Sequence, residues 1–221
     1  MYLGCWMQLA KTLALDTNWM VKTIPYLAHC PLVVLNDYFF YKVGKRVIGV
    51  DATRLGVIIL FFNRFQTHLI IRCFTNGIEQ ILTTVAFYFY LDQTNKFNRG
   101  TVVLTALITV SFMMRNTSPV GWIPLLAIKV LREGSLVPFL ISGLTVALPL
   151  IALCVYIDTK FYNSEEWVFT GYNFLEMNVL HGLSKYFGED PFHYYCGEGI
   201  AAIFTLLLPL YYLSHLTHIK M

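Results

Sequence analysis

Charge is scarce in this chain. Only 13% of its residues are Asp, Glu, Lys or Arg, where a soluble domain carries about 25%. No run of Lys and Arg builds a nucleic-acid surface, and the net charge is only +3. The five cysteines form no C-x-x-C pair and no zinc spacing, so most of them read as small buried apolar residues. The first residues, MYLGCWMQLAK, lack the charged stretch, apolar core and cleavage site of a signal peptide. There is no Gly-rich phosphate loop, no G-x-S-x-G, no H-E-x-x-H and no D-x-D metal pair, and no Ser/His/Asp order is persuasive. Repeats, low-complexity tracts and flexible linkers are also missing. These absences leave no soluble-enzyme signature.

Apolar residues are what the chain has. They make up 57% of it, and the mean hydropathy is +0.58. The balance points to a bilayer protein. Ser135 to Ile157 is uncharged and long enough to span, since about 20 residues cross the hydrocarbon core. Only Ser142 and Thr145 interrupt its apolar surface, whereas a soluble helix of that length would show a polar stripe. Asp16 is a candidate cap for a helix running from Thr17 towards Tyr41, bent at Pro25 and Pro31. A basic loop from 42 to 54 is expected next, with Lys42, Lys45, Arg46 and Arg54.

Thr101 to Ile128 is apolar except for Arg115. Its two arms are expected to meet at RNTSP, where Pro119 can start a new helix. Each arm would rise about 21 Å, less than the hydrocarbon core of about 30 Å, so Arg115 would lie below the membrane surface. Basic segments stay cytosolic, which suits 42–54 and 129–133. The segment 158–198 holds seven carboxylates and two lysines and suits the far side. By that count three polar clusters, at 72–79, 115–118 and 158–198, share one face of the membrane. A transporter would instead need charged residues lining a path across it.

Each cluster has a bland reading beside the functional one. Arg72, Asn76 and Glu79 are spaced to share one helical face, yet Asn76 and Glu79 also fit a helix cap with its capping-box partner. Arg115 calls for a carboxylate or a phosphate, for which its bidentate fork is suited, or else it snorkels to the interface. Asn116–Thr117–Ser118 is a glycosylation sequon, although Pro119 and its depth oppose its use. The rings of the long segment could be interfacial anchors only. With Asn178, His181 and His193 they also describe a sugar-binding surface, and the residues alone do not choose.

The stretch YNFLEMNVLHGLSKYFGEDPFHYY resembles the luminal segment of the glycosylphosphatidylinositol (GPI) mannosyltransferases that add the third mannose, whose pattern is roughly YNFLxFNVLxxxxxFYGxHPWHWY. IDTKFYNSEEWVFTGYNFL, RCFTNGIEQILTTVAFYFY, FMMRNTSPVGWIPLL and MVKTIPYLAH are similar to further family stretches in the same order, so the likeness runs from about Asp16 to about Ile200. It implies an all-α, multi-pass helical bundle in the endoplasmic reticulum membrane, of the GT-C membrane glycosyltransferase architecture, with a luminal helical loop at 158–198. Dolichyl phosphate mannose would be the donor and a dimannosyl GPI precursor glycolipid the acceptor. An inverting transfer would give an α-1,2 link, with no metal, cofactor or nucleic acid involved. Arg72, Glu79 and Arg115 would organise the donor phosphate. Asn173, Asn178, His181, His193 and Tyr195 would line the sugar and acceptor cleft.

The resemblance also has departures. The family's HPDE-type segment, with its general base, does not occur, so residues 1–221 are expected to be one membrane domain of a longer enzyme, inactive alone, with the catalytic base elsewhere. DPF stands at 190–192 where the family has HPW, Tyr194 replaces Trp, and Asn116 follows Arg115 where the family has Pro. N-glycan mannosyltransferases share the shorter features, and a non-catalytic membrane subunit keeping the luminal platform is the rival class.

Overall fold

The computed structural model describes residues 2–15, 17–63, 75–91, 98–134 and 136–188, together with 70, 72, 191, 193, 194 and 209. Among them there are helices and turns but no strand. A short helix α1 (Tyr2–Thr12) precedes the long α2 (Asn18–Val47). Thr17 caps α2, its hydroxyl accepting from the Met20 N–H at 3.3 Å. Asp16, the expected cap, lies outside the described residues. The helix continues through Pro25 and Pro31 to Val47. Its buried polar residues, His29 and Asn36, are seven apart and so share one face.

The expected basic loop at 42–54 is not a loop. Only Ile48 and Gly49 break the helix, and α3 (Val50–Phe62) begins directly. Gly49 adopts φ 85°, a conformation open to glycine at no steric cost, and this makes the tight reversal. The hairpin then closes at Gly44, where an added Cβ would lie 2.7 Å from the Thr53 methyl. Lys42, Lys45, Arg46 and Arg54 therefore sit on helical turns around a two-residue corner.

The centre of the molecule is α4 (Thr75–Tyr90), α5 (Arg99–Met114) and α6 (Pro119–Glu133). Asn98 caps α5 by accepting from the Thr101 N–H at 2.9 Å. Pro119 occupies the first turn of α6, where its missing N–H costs nothing. Gly134, at φ 62°, ends α6 in the left-handed conformation. Ala86, Leu104 and Trp122, one from each helix, form the core, with Phe87, Tyr90, Leu107 and Leu125 around them. Trp122 lies 5.1 Å from the Phe87 ring, and the Tyr90 hydroxyl donates to the Leu125 carbonyl at 3.0 Å. The small residue Ala86 lets the helices approach, which matters where lipid removes the hydrophobic drive between them.

The last long element is Leu136–Phe161, 26 residues with a mean hydropathy of 2.3 in its most apolar window. It consists of α7 (Leu136–Ser142), a π turn (Gly143–Ala147) and α8 (Leu148–Phe161). Pro149 explains the π turn: it has no N–H for residue 145 and its ring crowds that carbonyl. The Leu148 N–H instead bonds Gly143. Only 6% of the apolar window is buried, so its side chains face outward, as a lipid-exposed span requires. Its one fully buried polar residue, Ser142, accepts from the Thr105 hydroxyl of α5 at 2.9 Å. Among the described residues this is the one helix long and apolar enough to cross a membrane. Cys30 is exposed and Cys154 half-buried, so neither is among the buried thiols expected of most of the five; both sit on helices whose outer faces are uncovered.

Candidate functional site

The site is built around one turn. α5 cannot run on past 115 because the Pro119 ring would collide with that carbonyl. Arg115 becomes extended, at φ −148° and ψ 111°. Its N–H still reaches the Ser111 carbonyl at 2.9 Å, and its own carbonyl accepts from the Ser118 N–H at 3.0 Å. Across the base of the turn the Ser111 and Ser118 hydroxyls bond each other at 2.7 Å, and both residues are buried. A buried hydroxyl without a partner is costly, so this pair fixes the turn, and the turn fixes where Arg115 points.

Arg115 points at α4. Its Nη1 donates to Glu79 Oε2 at 2.7 Å, at the short end for a charge-assisted bond. The guanidinium side chain stays 42% exposed and the carboxylate 18%, so one edge of the fork is still open. This replaces the capping-box reading. Asn76 lies inside α4, which starts at Thr75, and the Glu79 carboxylate goes to Arg115. The expected single helical face of Arg72, Asn76 and Glu79 is not formed either. Arg72 is exposed in a bend before α4. Its carbonyl passes 3.6 Å from where a Cβ on Gly77 would be, so the backbone crosses the first turn of α4. The ion pairs among the described residues do not include Arg72.

The same turn also meets the long polar segment. After α8 the chain folds back on itself. Thr170 donates to Asp158 Oδ2 at 3.1 Å, and the Val168 N–H donates to the Thr159 hydroxyl at 2.9 Å. α9 (Thr170–Leu175) docks on α5 through Gly171, where an added Cβ would lie 3.0 Å from the Phe112 ring. A second π turn, Glu176–Leu180, follows, with the His181 N–H on the Glu176 carbonyl at 3.0 Å. Such turns recur at functional sites. Between the 115–118 turn and this segment lies an open cavity of 510 Å³, lined by Asn116, Tyr162, Thr170, Asn173, Phe174 and Asn178 among others. Its size is that of a small-molecule site.

The eight expected site residues thus fall into groups. Glu79 pairs with Arg115, and Asn173 and Asn178 share the cavity beside the same turn. His181 is exposed and borders a separate hollow of 440 Å³ with Lys185 and Tyr186. His193 is exposed and lines neither. Tyr195 lies outside the described residues. Sequence reasoning missed Ser111 and Ser118, whose pairing needs the turn to exist. It also passed over Asn116, Tyr162 and Thr170 as lining; the break from Pro at 116 was the available signal.

A profile of the Alg9-like mannosyltransferase family matches residues 1–221. The chain is similar to GPI alpha-1,2-mannosyltransferase 3 of Bos taurus, at 28% identity over 197 residues, covering 89% of this chain and 36% of that protein. The Homo sapiens protein of the same name is 26% identical over 197 residues, covering 89% and 35%. GPI mannosyltransferase 3 of Candida albicans is 30% identical over 203 residues, covering 88% and 40%. The chain therefore spans little more than a third of the length of these curated relatives. No solved structure matches it.

Proposed function

The chain belongs to the Alg9-like mannosyltransferase family, and from that premise we propose that it forms part of a GPI mannosyltransferase of the endoplasmic reticulum membrane. The enzyme moves mannose from dolichyl phosphate mannose to a dimannosyl GPI precursor in the lumen, making an α-1,2 link. Its fold is a multi-pass bundle of the GT-C type, in which α2, α4, α5 and α6 cross beside the Leu136–Phe161 span. The segment 158–198 is the luminal loop, and the basic ends at Arg46 and Lys129 face the cytosol, as the distribution of Lys and Arg predicts.

The observation that carries this reading is the single turn that sets Arg115 on Glu79 and, beside it, Asn116 on a cavity of amides and rings. In the transfer the acceptor hydroxyl attacks the anomeric carbon and the bond to the phosphate oxygen breaks. Negative charge then grows on the departing phosphate. Arg115 meets it with the exposed edge of its fork, pre-positioned by Glu79, which is the kind of fixed electrostatic support that lowers such barriers. Arg72 adds positive charge from the bend before α4. Asn173 and Asn178 receive a sugar, while His181, His193 and Tyr195 belong to the acceptor side. The base that takes the hydroxyl proton lies outside these residues.

The test is transfer by the whole protein in microsomes of cells lacking third-mannose addition. Labelled dolichyl phosphate mannose should yield a trimannosyl GPI lipid whose label an α-1,2-mannosidase releases. Label on a lipid-linked N-glycan precursor instead would assign the chain to that pathway, and no transfer would leave it a non-catalytic subunit.

A further inference from the structure

The 510 Å³ cavity borders the 115–118 turn through Asn116, its lining includes neither Arg115 nor Glu79, and its polar lining is neutral. Asn116, Thr170, Asn173 and Asn178 bring three amides and a hydroxyl. Amides and hydroxyls both donate and accept, which matches the hydroxyls of a sugar ring. A phosphate asks for donors and positive charge, and the cation here is Arg115, directed at α4. An acyl chain would leave the amides without use. Tyr162 and Phe174 add ring faces, against which the C–H face of a pyranose can lie.

Asn116 stands apart in this set. The other named residues come from the 158–198 segment, and Asn116 alone comes from the turn that also holds Arg115. One turn therefore sorts two chemistries: residue 115 carries charge to Glu79 and residue 116 an amide to the cavity. We infer that the cavity is a hexose subsite and that Asn116 is its reader on the α5–α6 side, a specificity-determining contact that the Pro of the resembled pattern could not make. The choice of mannose as the hexose rests on the proposed transfer.

The backbone supplies a clean variant. Arg115 is already extended, as a residue before proline must be, and the hydrogen bonds of the turn run through the N–H groups of 115 and 118, not 116. Asn116→Pro therefore removes the amide while the turn keeps its shape, and Asn116→Ala removes it by truncation. In the microsomal assay both variants should raise one KM about fivefold, the scale of one lost neutral hydrogen bond, with kcat within about twofold. A rise in donor KM means the cavity holds the mannose being transferred. A rise in acceptor KM means it holds the terminal mannose of the acceptor. Unchanged KM for both substrates, with the wild-type protein active, overturns the inference and leaves the proposed function standing.

A second readout does not depend on turnover. In Asn116→Cys, alkylation of the introduced thiol, followed by mass spectrometry, should slow at least about twofold with methyl α-mannopyranoside. Inorganic phosphate should have no effect. Equal alkylation with and without the sugar overturns the subsite even in a protein that transfers nothing.

Discussion

α4 meets cations at both ends, and the two ends treat them differently. At its C-terminal end Arg46 donates to the Tyr88 carbonyl at 3.3 Å and Lys129 to the Tyr90 carbonyl at 2.9 Å. Each cation also lies against the ring of the residue it bonds, at 4.4 and 5.2 Å from the centroid. The last carbonyls of a helix have no partners within it, and positive charge is favourable there. Lys129 is 6% exposed and closes this end next to the Ala86–Leu104–Trp122 core, while Arg46 lies exposed at its rim. At the N-terminal end Arg115 also has a partner, but it stays 42% exposed beside a cavity. Lys129 completes a helix end and is buried by its neighbours. Arg115 keeps an open edge, which the ligand role proposed for it requires.

Breaking the open end should cost the most activity. Arg115→Ala is expected to lower mannosyl transfer by about a hundredfold or more, the scale of losing a donor aimed at developing charge. Arg115→Lys keeps the charge without the fork and should lose about tenfold. Small and equal losses in the two variants would sink the role given to Arg115.

Breaking the closed end should cost stability instead. Lys129→Met keeps the aliphatic length but leaves the Tyr90 carbonyl without its charged donor. The loss should be about 2 kcal/mol, read as a lower Tm in detergent, with specific activity within about twofold. A tenfold drop in activity at unchanged Tm would reverse the assignment of the two ends.

The smallest effect should come from the support of the turn. Ser111→Ala strands the Ser118 hydroxyl in a buried position and should cost about 1 kcal/mol, with a transfer rate about threefold lower. Adding Ser118→Ala removes the stranded group and should recover most of that stability, since deleting both partners is often nearly neutral. If the double variant is worse than the single one, the hydroxyl pair is not what holds the turn.

Legibility in the sequence followed how local each cause was. Pro119 announced the start of α6 and the break before it. The uncharged run of 135–157 announced the span, and a lone Arg in an apolar stretch announced a partner. Other features were not readable because they depend on contact between distant segments. Spacing suggested one helix carrying Arg72, Asn76 and Glu79, but the backbone bends before Thr75. Basic residues at 42–54 suggested a loop, but a glycine at positive φ needs only two residues to reverse the chain. The fit of Glu79 to a capping box was sound local reasoning, overridden by a guanidinium arriving from 36 positions away.

The order and type of residues alone determined that this is a helical, lipid-facing protein with polar islands between its apolar stretches, because hydropathy and proline placement act within a turn or two of chain. Only the tertiary structure decided which island faces which. Whether Glu79 meets Asn76 or Arg115, and whether Asn116 caps nothing or lines a cavity, depends on how α4, α5 and α9 pack. That packing is set by side-chain shape across helices, at Gly171 on Phe112 and Ala86 near Trp122, and no local pattern in the sequence encodes it.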